Sequence, residues 1–191
     1  MSEPYCVLTR CQITRQRVEE FLKAPRKPAS DYEDWAQCTG FIDVDSLQPR
    51  MNEWLAKVDA HAGASYGEAL VRLRGFGLQP SFFRFYYEDG VLHQASLLFS
   101  QNARDLVEHL ATSRGICDFL RDDEEGIVAV HDPFMHNGTV GVVALGAGRS
   151  RVVESDAETE KSVSAMVAEL PTLMELEENV QRDELDSFLP G

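Results

Sequence analysis

The sequence predicts an α+β protein: a mostly antiparallel sheet of about five to six strands with helices packed on one face. Three observations carry this expectation. Short runs of β-forming residues cluster in neighbouring pairs joined by tight-turn residues. Capped amphipathic segments stand in blocks between those pairs. Strand and helix never alternate in the sustained way that a parallel sheet requires. At 191 residues the chain can bury a core without disulfides or metal. Residues 1–191 read as a single domain, with residues 155–191 an acidic helical segment packed on it. Hydrophobic residues make up 43% and charged residues 26%, a globular composition that excludes a disordered chain.

The elements follow in order. From Tyr5 to Ile13 the residues Tyr5, Val7, Cys11 and Ile13 recur at period two, the pattern of a strand. Thr14 is positioned to cap a helix whose buried stripe is Val18, Phe21 and Leu22, ending before Pro25. Ser30 and Glu33 have the spacing of a capping box and predict a short helix through Trp35 to near Gly40. From Ser46 onward, Leu47, Met51, Leu55 and Val58 mark an amphipathic helix. Ser65 with Glu68 caps a further helix through Leu70, Val71 and Leu73, with a strand the competing assignment.

The Phe82–Tyr87 and Val91–Phe99 runs flank Glu88-Asp89-Gly90. Asp-Gly accepts the positive φ of a type I′ turn, so these runs form a hairpin. Five of the six residues Phe82–Tyr87 are aromatic, which puts rings on both faces and suits a central strand. Ser100 opens a long helix carrying Leu106, Val107, Leu110, Ile116, Phe119 and Leu120, with Gly115 its weak point. Strands at Gly126–His131, Gly138–Leu145 and Arg149–Glu154 follow. Ser155 with Glu158 caps a helix bearing Val163, Met166, Val167 and Leu170, and Thr172 with Glu175 caps a last one through Leu176, Val180 and Leu185.

Motifs that would name a chemistry are weak. Gly146-Ala147-Gly148 lacks the third glycine and the following helix of a dinucleotide fingerprint, so it reads as a strand-to-strand turn. There is no phosphate-binding GxxxxGK[ST] run and no GxSxG elbow. His131, Asp132 and His136 share a segment with Pro133, without the spacing of a metal motif. A solvated or structural role is expected of them, and a metal-assisted hydrolase built on His131–Asn137 is the alternative. His93 and His109, with Glu108, would meet only if the hairpin packs on the next helix. Asp122-Asp123-Glu124-Glu125 lacks the alternating ligands of a calcium loop. Cys6, Cys11, Cys38 and Cys117 form no CxxC pair and read as reduced core thiols. No cofactor is expected.

Charge is the strongest global signal. The net charge is −14, and residues 154–191 hold 11 acidic side chains against Lys161 and Arg182. Such a field repels nucleic acid and anionic membrane and attracts basic partners. The acidic positions left over by the apolar stripe are Glu158, Glu169, Glu175, Glu177, Glu178, Asp183, Glu184 and Asp186, and these are the expected partner-binding residues. No apolar run approaches the roughly 18 residues that cross a bilayer, and Met1-Ser2-Glu3-Pro4 lacks the parts of a secretory signal. The expected role is therefore that of a non-enzymatic, cytoplasmic, bacterial inhibitory binding protein. It would be an immunity protein or antitoxin that caps the active cleft of a basic toxin, as monomer or homodimer, binding neither nucleic acid nor membrane. A DNA mimic or scaffold is a further possibility.

Overall fold

The β-forming runs become the strands β1 (Cys6–Gln12), β2 (Phe83–Glu88), β3 (Val91–Ser96), β4 (Gly126–Asp132), β5 (Gly138–Gly146) and β6 (Arg149–Val153). All pair antiparallel in one six-stranded sheet of order β2-β3-β1-β4-β5-β6. The computed structural model describes residues 5–38, 51–60, 63–75, 83–97, 103–133, 138–154, 156–169 and 183–189. The α-helices are α1 (Arg15–Lys23), α2 (Met51–Asp59), α3 (Tyr66–Arg74), α4 (Ala103–Arg114), α5 (Ala157–Ala168) and the single turn α6 (Leu185–Phe188). The α+β class and the antiparallel sheet are as the sequence predicts.

Period two in β1 separates two layers. Val7 and Cys11 join Phe85, Leu92, Val128, Val130 and Val143 on a first face, covered by Phe21 and Leu22 of α1, Leu55 and Val58 of α2, Leu70 and Leu73 of α3, and Leu106 and Leu110 of α4. Cys6 and Leu8 join Ala95, Ala129 and Val142 on the second face, beneath Val163 and Met166 of α5. Most helices thus share one face, as expected, and α5 alone among the described helices packs on the other.

The β2–β3 hairpin turns on Asp89 (φ 51°) and Gly90 (φ 82°), the two positive φ values of a type I′ turn. The aromatic strand is an edge strand rather than the central one its rings suggest. Its side chains are nonetheless buried on both faces from Phe83 to Tyr86. The segment 183–189 lies along its outer side: Glu184 N–H donates to the Phe85 carbonyl at 2.6 Å, and the Phe188 ring meets Phe85 edge-on at 5.7 Å.

Other local assignments shift for physical reasons. The Ser30/Glu33 box makes no α-helix. Residues Ala29–Asp31 and Trp35–Gln37 are single 3₁₀ turns, because the Ser30 backbone N–H and hydroxyl bond Asp59 instead, at 3.3 and 3.1 Å. Helix wins over strand after Ser65, whose hydroxyl accepts from Glu68 N–H at 3.2 Å. The helix opening at α5 is capped by Asp156, not Ser155, through Asp156 Oδ1 and Thr159 N–H at 2.8 Å. At Gly115 the α4 helix tightens into a 3₁₀ stretch, Gly115–Phe119, and a Cβ there would run into the Tyr66 ring. The assignments around Leu47, Ser100, Leu170, Thr172, Leu176 and Val180 lie outside the described residues.

Candidate functional site

The second face of the sheet is where exposed chemistry collects. Val163 and Met166 anchor α5 to it, which leaves Glu158, Glu160 and Glu169 on the solvent side of that helix, with Glu154 exposed just before it. None of these four carboxylates has a basic partner among the described residues. Glu158 and Glu160 suit the positive end of the helix dipole, in the first turn of α5. Glu169 does not: it is the C-cap, and no basic residue stands in the last turn. Helix stability therefore gives no reason for a carboxylate there.

Beside α5 the strand register assembles a row that crosses the sheet. Tyr86 pairs with His93, His93 with Arg10, Arg10 with Ile127, Ile127 with Ala144, and Ala144 with Arg151. Tyr86 and His93 stack at 4.6 Å with planes 3° apart. The Arg10-to-Arg151 end of the row floors an open cleft of about 460 Å³ that Glu125, Asp156 and Glu158 also line.

Five of the eight acidic residues expected to bind a partner are among the described residues, and they are divided between two elements. Glu158 and Glu169 are exposed on α5. Asp183 and Asp186 are instead ion-paired with Arg74, at 3.2 and 3.0 Å, and Arg74 holds the Asp186 carboxyl below the usual carboxylate range. Glu184 stands at the N-cap position of α6 without a side-chain cap bond, and Leu185 and Phe188 of that turn belong to the first-face core. Residues 183–189 are therefore a structural strap against β2, while α5 lies across the other face. Glu175, Glu177 and Glu178 lie outside the described residues.

His131 and Asp132 are not loop residues. They end β4, and both are buried. Burial pushes the His131 imidazole below its ordinary pKa, and its Nδ1 has no hydrogen-bond partner among the described residues. His136 lies outside them. His93 and His109 do not meet, because they occupy opposite faces: His109 is under α4, with Nε2 2.7 Å from Ser96 Oγ. Glu108 pairs with Arg72 at 2.6 Å.

All four cysteines are buried and reduced. Burial raises the Cys38 thiol to about 12 and the Cys117 thiol to about 11, which suppresses the nucleophilic thiolate. Among the described residues no three His, Cys, Asp or Glu side chains are placed to hold a metal ion, and no helix is long and apolar enough to cross a membrane.

Sequence reading missed the cleft. Arg10 and Arg151 stand out only as charged residues inside β-rich runs, and nothing short of the strand register places them on one row. By its fold the chain is an α+β protein on a single antiparallel sheet. Neither family models, nor curated proteins, nor solved structures give a match to it.

Proposed function

We propose that this protein is a cytoplasmic binding protein that neutralises a basic partner, as an immunity protein or antitoxin caps the cleft of a basic toxin. One observation carries the reading: Glu154, just before α5, and Glu158, Glu160 and Glu169 on it are exposed without ion-pair partners among the described residues. Other acids of the chain are spent internally. Asp34 serves Arg114, Asp59 serves Arg26, and Asp118 serves Lys27. The unspent carboxylates leave a field that steers a cationic surface in and pairs with its Lys and Arg on contact. The same field disfavours direct nucleic-acid binding. The His131–Asn137 hydrolase has less support, since His131 and Asp132 are buried within a strand.

The test is co-expression with the product of the adjacent gene, followed by isolation of the complex and stopped-flow association. A stable complex, with protection from any toxicity of the partner, is the expected result. Changing Glu154, Glu158, Glu160 and Glu169 to Gln together should slow association by about tenfold at low salt and flatten its salt dependence. An on-rate unaltered across salt concentrations would reduce the α5 charge to a solubility device.

A further inference from the structure

We infer that the cleft on the second sheet face is a binding site for an organic anion. Such a ligand would lay an apolar body over Ile127 and Ala144 and present anionic groups to Arg10 and Arg151. Three observations support it, and the first two are separate from the exposed acids of α5.

The first is geometric. Arg10, Ile127, Ala144 and Arg151 are consecutive partners across β1, β4, β5 and β6. Three strand spacings separate the two arginine α-carbons by about 14 Å. Two cationic arms therefore flank a short apolar floor, and the open volume above it is about 460 Å³, within the size range of small-molecule sites.

The second concerns the charge inventory. The chain has 32 acidic residues against 18 basic ones, so a guanidinium finds a carboxylate easily. Arg15, Arg26, Arg72, Arg74, Arg114 and Arg121 do, while Arg17 and Arg149 form no ion pair among the described residues. Arg10 and Arg151 form none among the described residues either, and these two line one cleft. Arg10 is half-buried, so its charge is partly stripped of water without an ion-pair partner among the described residues. An anion supplied from outside would restore that interaction, with the planar fork suited to carboxylate or phosphate oxygens.

The third is the acidic part of the lining, which selects among anions. Glu125, Asp156 and Glu158 line the cleft beside the two arginines and oppose a bare inorganic ion. A ligand must gain affinity from apolar contact as well as from the arginines, and this favours an organic anion over free phosphate.

The experiment is an NMR amide-shift titration of the full chain at fixed ionic strength with terephthalate, benzoate, benzyl alcohol and inorganic phosphate. Terephthalate, with two carboxylates on an apolar ring, should bind most tightly and shift the amides of Arg10, Ile127, Ala144 and Arg151. Benzoate should bind about tenfold more weakly, and benzyl alcohol and phosphate more weakly still. Arg10→Ala and Arg151→Ala should each reduce terephthalate to the benzoate level, while Lys23→Ala, an exposed charge on α1, should not. Arg151→Gln covers the case in which Arg10→Ala loses its fold, since Arg151 is exposed. Equal affinity for the charged and neutral rings, shifts elsewhere in the molecule, or terephthalate binding indifferent to both arginines would overturn the proposal.

Discussion

His109 shows what burial does to one titratable side chain. Its ring lies wholly inside the protein, between Ser96 Oγ at 2.7 Å, Gln94 Nε2 at 3.4 Å and Ser113 Oγ at 3.4 Å. Burial lowers its pKa from 6.5 to about 4, because these neutral partners satisfy an imidazole but do not stabilise an imidazolium. The unfolded chain takes up a proton below pH 6.5 that the folded chain refuses until about pH 4. Stability from this group is therefore complete above the unfolded value and is lost as pH falls towards the folded one, by about 3 kcal/mol in all. His109→Gln keeps a polar group in place and should remove this acid sensitivity. Urea unfolding at about pH 7.5 and about pH 4.5 should show the parent losing about 2–3 kcal/mol more than the variant. Parallel losses would place the acid sensitivity elsewhere.

At the scale of elements, the two edges of the sheet are closed by different means. An open edge offers unpaired N–H and C=O groups to another chain. On β6, Asp34 Oδ2 accepts the Val152 N–H at 2.7 Å, and Arg114 donates to the Ser150 carbonyl at 3.2 Å and to Ser150 Oγ at 2.9 Å. Arg114 is itself 1% exposed, over the Tyr32 ring at 4.3 Å, and pairs with Asp34 Oδ1 at 2.7 Å. Asp34→Ala leaves a buried guanidinium without a carboxylate and should cost about 3–5 kcal/mol in urea denaturation. Asp34→Asn, which keeps an acceptor for Val152, should cost less. On β2 the strap does the same work, held by Phe188 against Phe85 and by Arg15 over the Phe188 ring at 4.3 Å. Phe188→Ala should cost about 3 kcal/mol and bare the β2 edge. Size-exclusion chromatography should then detect self-association absent from the parent.

The charge belongs to the whole molecule. At −14 the folded chain works against its own repulsion, and the carboxylates without internal partners bear most of it. Removing Glu154, Glu158, Glu160 and Glu169 together should raise the melting temperature by a few degrees at low salt. Added salt should stabilise the parent more than the variant, because screening relieves the same repulsion. A variant that melts lower would mean that Glu158 and Glu160 matter more as partners of the α5 helix dipole than as sources of repulsion. Melting with and without a chelator should coincide, as the core closes through apolar side chains and internal ion pairs; a large drop on chelation would reveal a structural metal.

What the sequence determined by itself was local. Period two in Val7 and Cys11, the 3.6-residue stripe of Val18, Phe21 and Leu22, and the Asp89-Gly90 turn depend on neighbours a few residues away. Backbone sterics and amphipathicity act over that range. The logic of a cap was legible at Ser65 and failed at Ser30, where Asp59, from another helix, outcompeted the local bond. Tertiary structure alone decided that the aromatic strand is an edge, that α5 takes the second face, and that Asp183 and Asp186 answer to Arg74 while Glu158 and Glu169 have no ion-pair partner among the described residues. It also decided that Arg10 and Arg151, 141 positions apart in the chain, share one row. Strand order and register come from the joint burial of distant apolar residues, and no local pattern encodes which distant partner an exposed or half-buried charge will meet.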